Sequence, residues 1–258
     1  WLHGRDAKAL YHALGRGQPF MKHPGDWNGT EQPLQNVLIS ALVGKYFSPS
    51  IVSNDAIFNH KCIVFAGKQT NALAALFNSS LVQAWVWMHS SRLEMRLSFS
   101  PSDSVETFPF PGEAIFSSFN LAGAEFMNKR SDIMRDAHRP LGLTKLYNHF
   151  HDPENNDAQF EQLRELLRKI DIAVAQAYGW SDLELAHSFH KVPFLVENDR
   201  VRFTISEPAR LEVLRRFGEL NRARFQEERH INLRVTKSVK ARTRAKPAAS
   251  NQFEFGLT

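Results

Sequence analysis

Arg92, Glu94 and Arg96 stand at alternate positions of the segment Ser91–Ser100, and their types suit the reading of base edges. A guanidinium can donate two parallel hydrogen bonds to guanine, and a carboxylate can accept from the amino group of cytosine. Ser98 and Ser100 continue the same parity, while Leu93, Met95, Leu97 and Phe99 occupy the other. A strand sends successive side chains to opposite faces. Strict alternation therefore predicts a strand that buries the four apolar residues and presents Arg-Glu-Arg-Ser-Ser in one row. A solvated strand face carries the same charges, and on the pattern alone that plainer reading comes first.

Such a row needs elements around it. Leu73, Leu76, Phe77, Leu81, Ala84, Trp85 and Met88 recur at helical intervals, which predicts one helix from about Thr70 to Met88 with Asn71 as its N-cap. Leu38–Val43, Tyr46–Val52 and Cys62–Phe65 are short apolar runs of strand length, the first of them equally compatible with a helix. Upstream, residues 1–45 are rich in Gly, Pro and His and read as loops, with a short helix over Ala7–Leu14. Gly15-Arg16-Gly17 lacks the third glycine and the preceding strand of a phosphate-cradling loop. Downstream, Phe108-Pro109-Phe110-Pro111 forces extended chain and ends the module. Beyond it the period turns helical over Ala114–Arg135 and Asp157–Tyr178, with Gly179 in the position of a C-terminal cap. A strand over Val201–Ile205 leads to Ser206 as N-cap and a last helix carrying Leu211, Leu214, Phe217, Leu220 and Phe225.

Two other constellations carry chemistry. His149 and His151, with His187 and His190, have spacings that could put imidazoles on one helix face around a zinc ion. No cysteine accompanies them, and satisfied or solvent-facing histidines are the better expectation. Cys62 is the single cysteine, so no internal disulfide or multi-cysteine zinc site is possible; within its apolar run it reads as a small buried hydrophobe. Trp85, Trp87 and Trp180 have faces for stacking on bases, yet core positions are commoner for such residues.

Of 258 residues, 43% are hydrophobic and 23% charged, in the range of globular proteins with a substantial core. The net charge of +5 is concentrated: Arg234, Lys237, Lys240, Arg242, Arg244 and Lys246 lie in a stretch with no acid between Glu228 and Glu254. That stretch reads equally as a salt-sensitive phosphate-binding tail or as a disordered, solubilising end. No apolar run approaches the roughly 20 residues of a membrane span, and no secretory signal is evident, so a cytoplasmic location without membrane partners is expected. The chain opens on Trp1, with its first methionine at Met21, as expected of a region taken from a longer protein.

The chain resembles the C-terminal target-recognition and helical region of type IIG/IIL (MmeI-like) restriction–modification DNA adenine methyltransferases. The resemblance rests on Asn78-Ser79-Ser80-Leu81 with Ala84-Trp85, on Arg92-Leu93-Glu94-Met95-Arg96, on Ser100-Pro101, and on Thr107-Phe108-Pro109-Phe110-Pro111. It continues through Gly142–Asn148, His151-Asp152-Pro153 and Ala175–Trp180, in the family's order from about Leu73 to Phe225. It implies that Glu94 and Arg96 form an acidic-x-basic pair reading one C·G base pair, with Arg92, Ser100 and Lys45 as further base or phosphate contacts. It also implies S-adenosylmethionine as cofactor of the parent protein. The glycine-rich loop and the Asn/Asp-Pro-Pro-Tyr/Phe tetrad that serve it are absent from this sequence, as is any nuclease motif, so no catalytic, cofactor-binding or metal-binding residue is assigned here.

The expected architecture is therefore α+β. A mixed α/β target-recognition module over 1–112, truncated at its N-terminal side, precedes a mainly helical domain over 113–231 and a basic, disordered tail over 232–258. The expected partners are double-stranded DNA and the methyltransferase, and with it any nuclease, domain of the same protein. A helical protein-interaction scaffold with a generic basic tail is the rival from a different class, and a phage-defence methyltransferase without nuclease is a closer variant.

Overall fold

The structure, a computed structural model, describes residues 34–67, 69–93, 96–112 and 117–244, with the side chains of 117, 198 and 231–244 left aside. The helix expected over Ala7–Leu14 lies outside the described residues.

The fold is α+β. Strand β1 (Asn36–Ala41) is the centre of an antiparallel sheet between β3 (Ser50–Ser53) and β4 (Cys62–Phe65). Its buried Val37 and Leu38 explain the apolar run, and Leu38 stands opposite Ile51 on one side and Phe65 on the other. β2 (Val43–Gly44) belongs to a second sheet, in the order β2-β6-β5, with β5 (Ser91–Leu93) and β6 (Arg96–Ser98). Leu42 is the switch between the two. Its N–H donates to Lys61 O at 2.8 Å and its carbonyl accepts from Phe99 N at 2.8 Å, so its backbone is satisfied from both sheets.

The helix predicted from Thr70 to Met88 is two helices, α1 (Thr70–Asn78) and α2 (Ser80–His89). Ser79 between them is extended, at φ −65° and ψ 145°. Its hydroxyl donates to Leu76 O (2.7 Å) and accepts from Val82 N (3.2 Å), closing one helix and capping the next. A short hydroxyl competes with the helical ladder in this way, which an apolar stripe does not reveal. Asn71 is not the cap: it lies inside α1, whose N-cap is Gln69.

A single turn, α3 (Pro101–Ser104), follows β6 and leads into the Phe-Pro-Phe-Pro segment. Trp85 Nε1 donates to Ser104 O at 3.0 Å, and Tyr178 Oη donates to Pro109 O at 2.9 Å. The Phe108 ring lies 6.0 Å from that of Trp85 and 5.0 Å from that of Phe217. The proline-rich segment is thus a seam of the core that ties the strand-bearing part to the helices.

Those helices are α4 (Asn120–Met134), α5 (Leu143–Phe150) and α6 (Ala158–Ala177). Asp157 caps α6 by accepting from Gln159 N at 2.9 Å, and Gly179 beyond its end takes φ +73°. α4 lies hard against α1: a Cβ on Gly123 would stand 2.0 Å from Asn71 O. Arg130 of α4 is 2% exposed and fixes four partners, donating to Pro49 O, Ser50 Oγ, Asn78 Oδ1 and Tyr147 Oη at 2.8–3.1 Å. Arg164 of α6 does the same for the loop after α5, donating to the carbonyls of His149, Phe150, Asp152 and Asn155. β7 (Ser188–Lys191) and β8 (Val201–Thr204) form an antiparallel pair; β8 falls within the strand expected over Val201–Ile205, whereas Ser188-Phe189-His190-Lys191, with one apolar residue in four, shows no strand pattern.

The last helix, α7, runs Glu207–Arg244. It therefore carries helix into the segment expected to be a disordered tail; 245–258 lie outside the described residues. No Gly or Pro occurs between Glu219 and Lys246, and the Arg, Lys, Glu, Gln, Ala and Leu of that stretch are strong helix formers. The chain divides into two compact units, one ending at Phe217 and one beginning at Gly218. Among the described residues no helix is long and apolar enough to cross a membrane.

Candidate nucleic-acid interface

The segment predicted as one strand is a hairpin. β5 and β6 pair antiparallel in the register Ser91↔Ser98, Arg92↔Leu97, Leu93↔Arg96. Residues opposite each other in an antiparallel pair share a face, so the reversal exchanges the parities. Leu93 and Arg96 lie on one face with Ser91 and Ser98, and Arg92 lies on the other with Leu97. The expected row of five polar residues is thereby divided between two faces, and the expected burial of Leu93 is overturned: it is 56% exposed, while Leu97 and Phe99 are 2% and 3% exposed. Period-two alternation carries no signal of a reversal.

Glu94, with Met95, lies outside the described residues. The side chains of Arg92 and Arg96 are exposed and make no hydrogen bond or ion pair with any described residue. Ser100 follows β6 as the N-cap of α3 and donates to Asp103 Oδ2 at 2.5 Å. Lys45 follows β2, which pairs with β6, but its ammonium is occupied: Nζ is 2.7 Å from Asp199 Oδ1 and donates to Asn148 Oδ1 at 3.0 Å. The two arginines are thus brought together on one small sheet with no partner among the described side chains, whereas Lys45 and Ser100 are spent on contacts within the chain.

Beside Lys45 lies a cavity of about 100 Å³, whose wall includes Tyr46, Tyr147, His151, Trp87, Phe194 and Arg202. The Tyr46 and His151 rings stack at 5.4 Å, and the Arg202 guanidinium lies 4.9 Å from the Tyr46 ring centre. Burial, and then the charges of Arg202, Arg164 and Lys45, hold His151 well below the ordinary histidine range, so it is neutral and its Nδ1 accepts from Phe203 N at 3.1 Å. Burial raises the Tyr46 hydroxyl against the opposing charges of Arg202 and Lys45. The amides of the cavity wall are spent on backbone: Asn78 donates to Pro49 O and Ala74 O, and Gln83 to Phe47 O and Phe77 O. These residues come from distant parts of the sequence, and no local pattern announces their meeting.

The four histidines do not converge. His149 packs on Phe160, His151 lines the cavity, His187 meets Asp171 Oδ2 at 2.8 Å, and His190 meets Ala186 O at 2.8 Å. Among the described residues no three His, Cys, Asp or Glu side chains are grouped to hold a metal ion. Asp171, fully buried, also accepts from Ser80 N at 2.6 Å, which makes that pair a brace between α6 and α2. Trp85 and Trp180 are core residues, leaving Trp87 in the cavity wall.

No protein-family model matches the chain, and no curated protein matches it. Among solved structures, the type IIL restriction–modification enzyme MmeI in complex with DNA is similar over 58% of this chain, at 22% identity and a TM-score of 0.45. The chain spans 19% of that enzyme's length. At that identity and score the likeness assigns neither function nor partner.

Proposed function

We propose that the chain is the sequence-reading portion of a site-specific DNA adenine-N6 methyltransferase of a restriction–modification system, acting on double-stranded DNA. The observation that carries the reading is the β5–β6 hairpin, the outer two strands of the β2-β6-β5 sheet, with exposed Arg92 and Arg96 that no described side chain neutralises. The major groove admits a ribbon of this kind, and a free guanidinium is the commonest reader of guanine there. The ordered motifs from Leu73 to Phe225 agree with it. Arg96, with Glu94, reads one base pair; Arg92, on the other face, meets phosphate. Methyl transfer from S-adenosylmethionine to an extruded adenine belongs to another domain of the longer protein.

The test is a selection from random duplexes with the purified chain at moderate salt, repeated with Arg96→Ala and with Glu94→Lys/Arg96→Asp. Wild type is expected to enrich a motif, and Arg96→Ala to lose ~1–3 kcal/mol of discrimination at one base pair. The double variant is expected to change the base preferred at that same position. Salt-sensitive binding without a motif would reject the reading in favour of a scaffold with a basic tail, and uniform loss in Arg96→Ala would make Arg96 a phosphate contact.

A further inference from the structure

Leu93 is a large aliphatic side chain left 56% exposed on a strand whose sheet partner buries Leu97 almost completely. Register puts it directly opposite Arg96, on the same face of the ribbon, with Ser91 and Ser98 forming the next pair. Side chains so paired project side by side, with their Cβ atoms about 5 Å apart. If Arg96 reaches a base edge, Leu93 enters the groove beside it. The floor of the major groove offers hydrogen-bonding edges at every base pair and a single apolar group, the C5 methyl of thymine. An aliphatic side chain facing anything else there would desolvate donors or acceptors without replacing their bonds, a cost that selects against those bases.

We infer that Leu93 is a second specificity-determining residue, which contacts the C5 methyl of a thymine in the base pair adjoining the one read by Arg96. The inference rests on the DNA-reading function proposed above. It also follows that the hairpin reads through one face only, with the guanidinium supplying the polar contact and the isobutyl group the apolar one.

The experiment takes the duplex that wild type selects and replaces the thymine next to the Arg96-dependent base pair by deoxyuridine, which removes the methyl and keeps every hydrogen-bonding group. Wild-type binding is expected to weaken about 4-fold, the worth of one buried methyl-sized group, while Leu93→Ala binds the two duplexes equally. Leu93→Ala should also lose the preference for thymine at that position in a selection and keep the Arg96-dependent preference, which shows that the variant folds. A selected motif with no thymine next to the Arg96 position, or equal wild-type affinity for thymine and deoxyuridine duplexes, would overturn the inference and leave the DNA-reading function standing. Selection of no motif at all would remove both.

Discussion

At the scale of single residues, two pairs of arginines stand in contrast. Arg130 and Arg164 are buried, and their fixed planar donors are spent on carbonyls and side chains that three or more segments bring together. Arg92 and Arg96 have no such obligations among the described residues. His151 is a third case, a neutral imidazole in an aromatic stack beside two guanidinium groups. Its unfolded form takes up a proton below about pH 6.5, whereas burial and the neighbouring positive charges keep the folded form unprotonated there. The unfolded state then binds more protons, so stability falls as pH drops below that value, until the folded pKa is reached. Urea unfolding from pH 7 to 5 is expected to show His151→Gln losing less stability than wild type, the difference amounting to at most ~1.4 kcal/mol per pH unit. Parallel pH dependence of the two proteins would contradict the depressed pKa.

At the scale of elements, the closest approach is between α1 and α4, where Gly123 faces the backbone of Asn71. Intrinsic propensity favours Ala over Gly inside a helix by about 1 kcal/mol. Here the sign reverses, because the new methyl would lie 2.0 Å from Asn71 O and 3.2 Å from Ala75 Cβ, and a backbone carbonyl cannot turn aside. Gly123→Ala is expected to destabilise the chain by ~3 kcal/mol or more, read from the midpoint of urea unfolding. An unchanged or raised midpoint would show that the two helices are less tightly apposed. The hairpin, by contrast, gains its fixed half from Leu97 and Phe99, with the Phe99 ring stacked 4.6 Å from that of Phe47. Leu93 and Arg96 are therefore held on the open face of a strand pair anchored in the core through Leu97 and Phe99 on the other, with Arg92 left exposed on the edge strand β5.

At the scale of the whole molecule, positive charge is uneven. Arg92 and Arg96 lie exposed on one small sheet, while Arg234, Lys237, Lys240, Arg242, Arg244 and Lys246 follow one another near the end of the chain. Under the proposed function, sequence preference and general phosphate affinity belong to different parts of the chain. A chain ending at His230 is expected to keep the selected motif and bind more weakly, with a shallower dependence of log K on log salt, by ~0.9 for each phosphate contact removed. Loss of the motif in that truncation would place reading contacts in the terminal stretch.

The sequence by itself determined the α+β class, the strand at Cys62–Phe65, the span and glycine stop of α6, and the concentration of basic residues toward the end. Each of these depends on spacing or propensity within about ten neighbouring residues, and such local terms survive in any tertiary setting. It also singled out Arg92 and Arg96 by type. Tertiary structure decided their faces, because alternation cannot mark where a strand turns back, and one reversal moved Leu93 from the expected core to the open side. It set α2 in place after the break at Ser79, whose own hydroxyl bonds to Leu76 and Val82 are local, by bringing Asp171 from 91 residues away to accept from Ser80 N. It also occupied Lys45, whose counterion Asp199 and amide partner Asn148 arrive from β8's approach and from α5. Contacts between distant segments follow from how the faces of whole elements fit, and no residue carries that information alone.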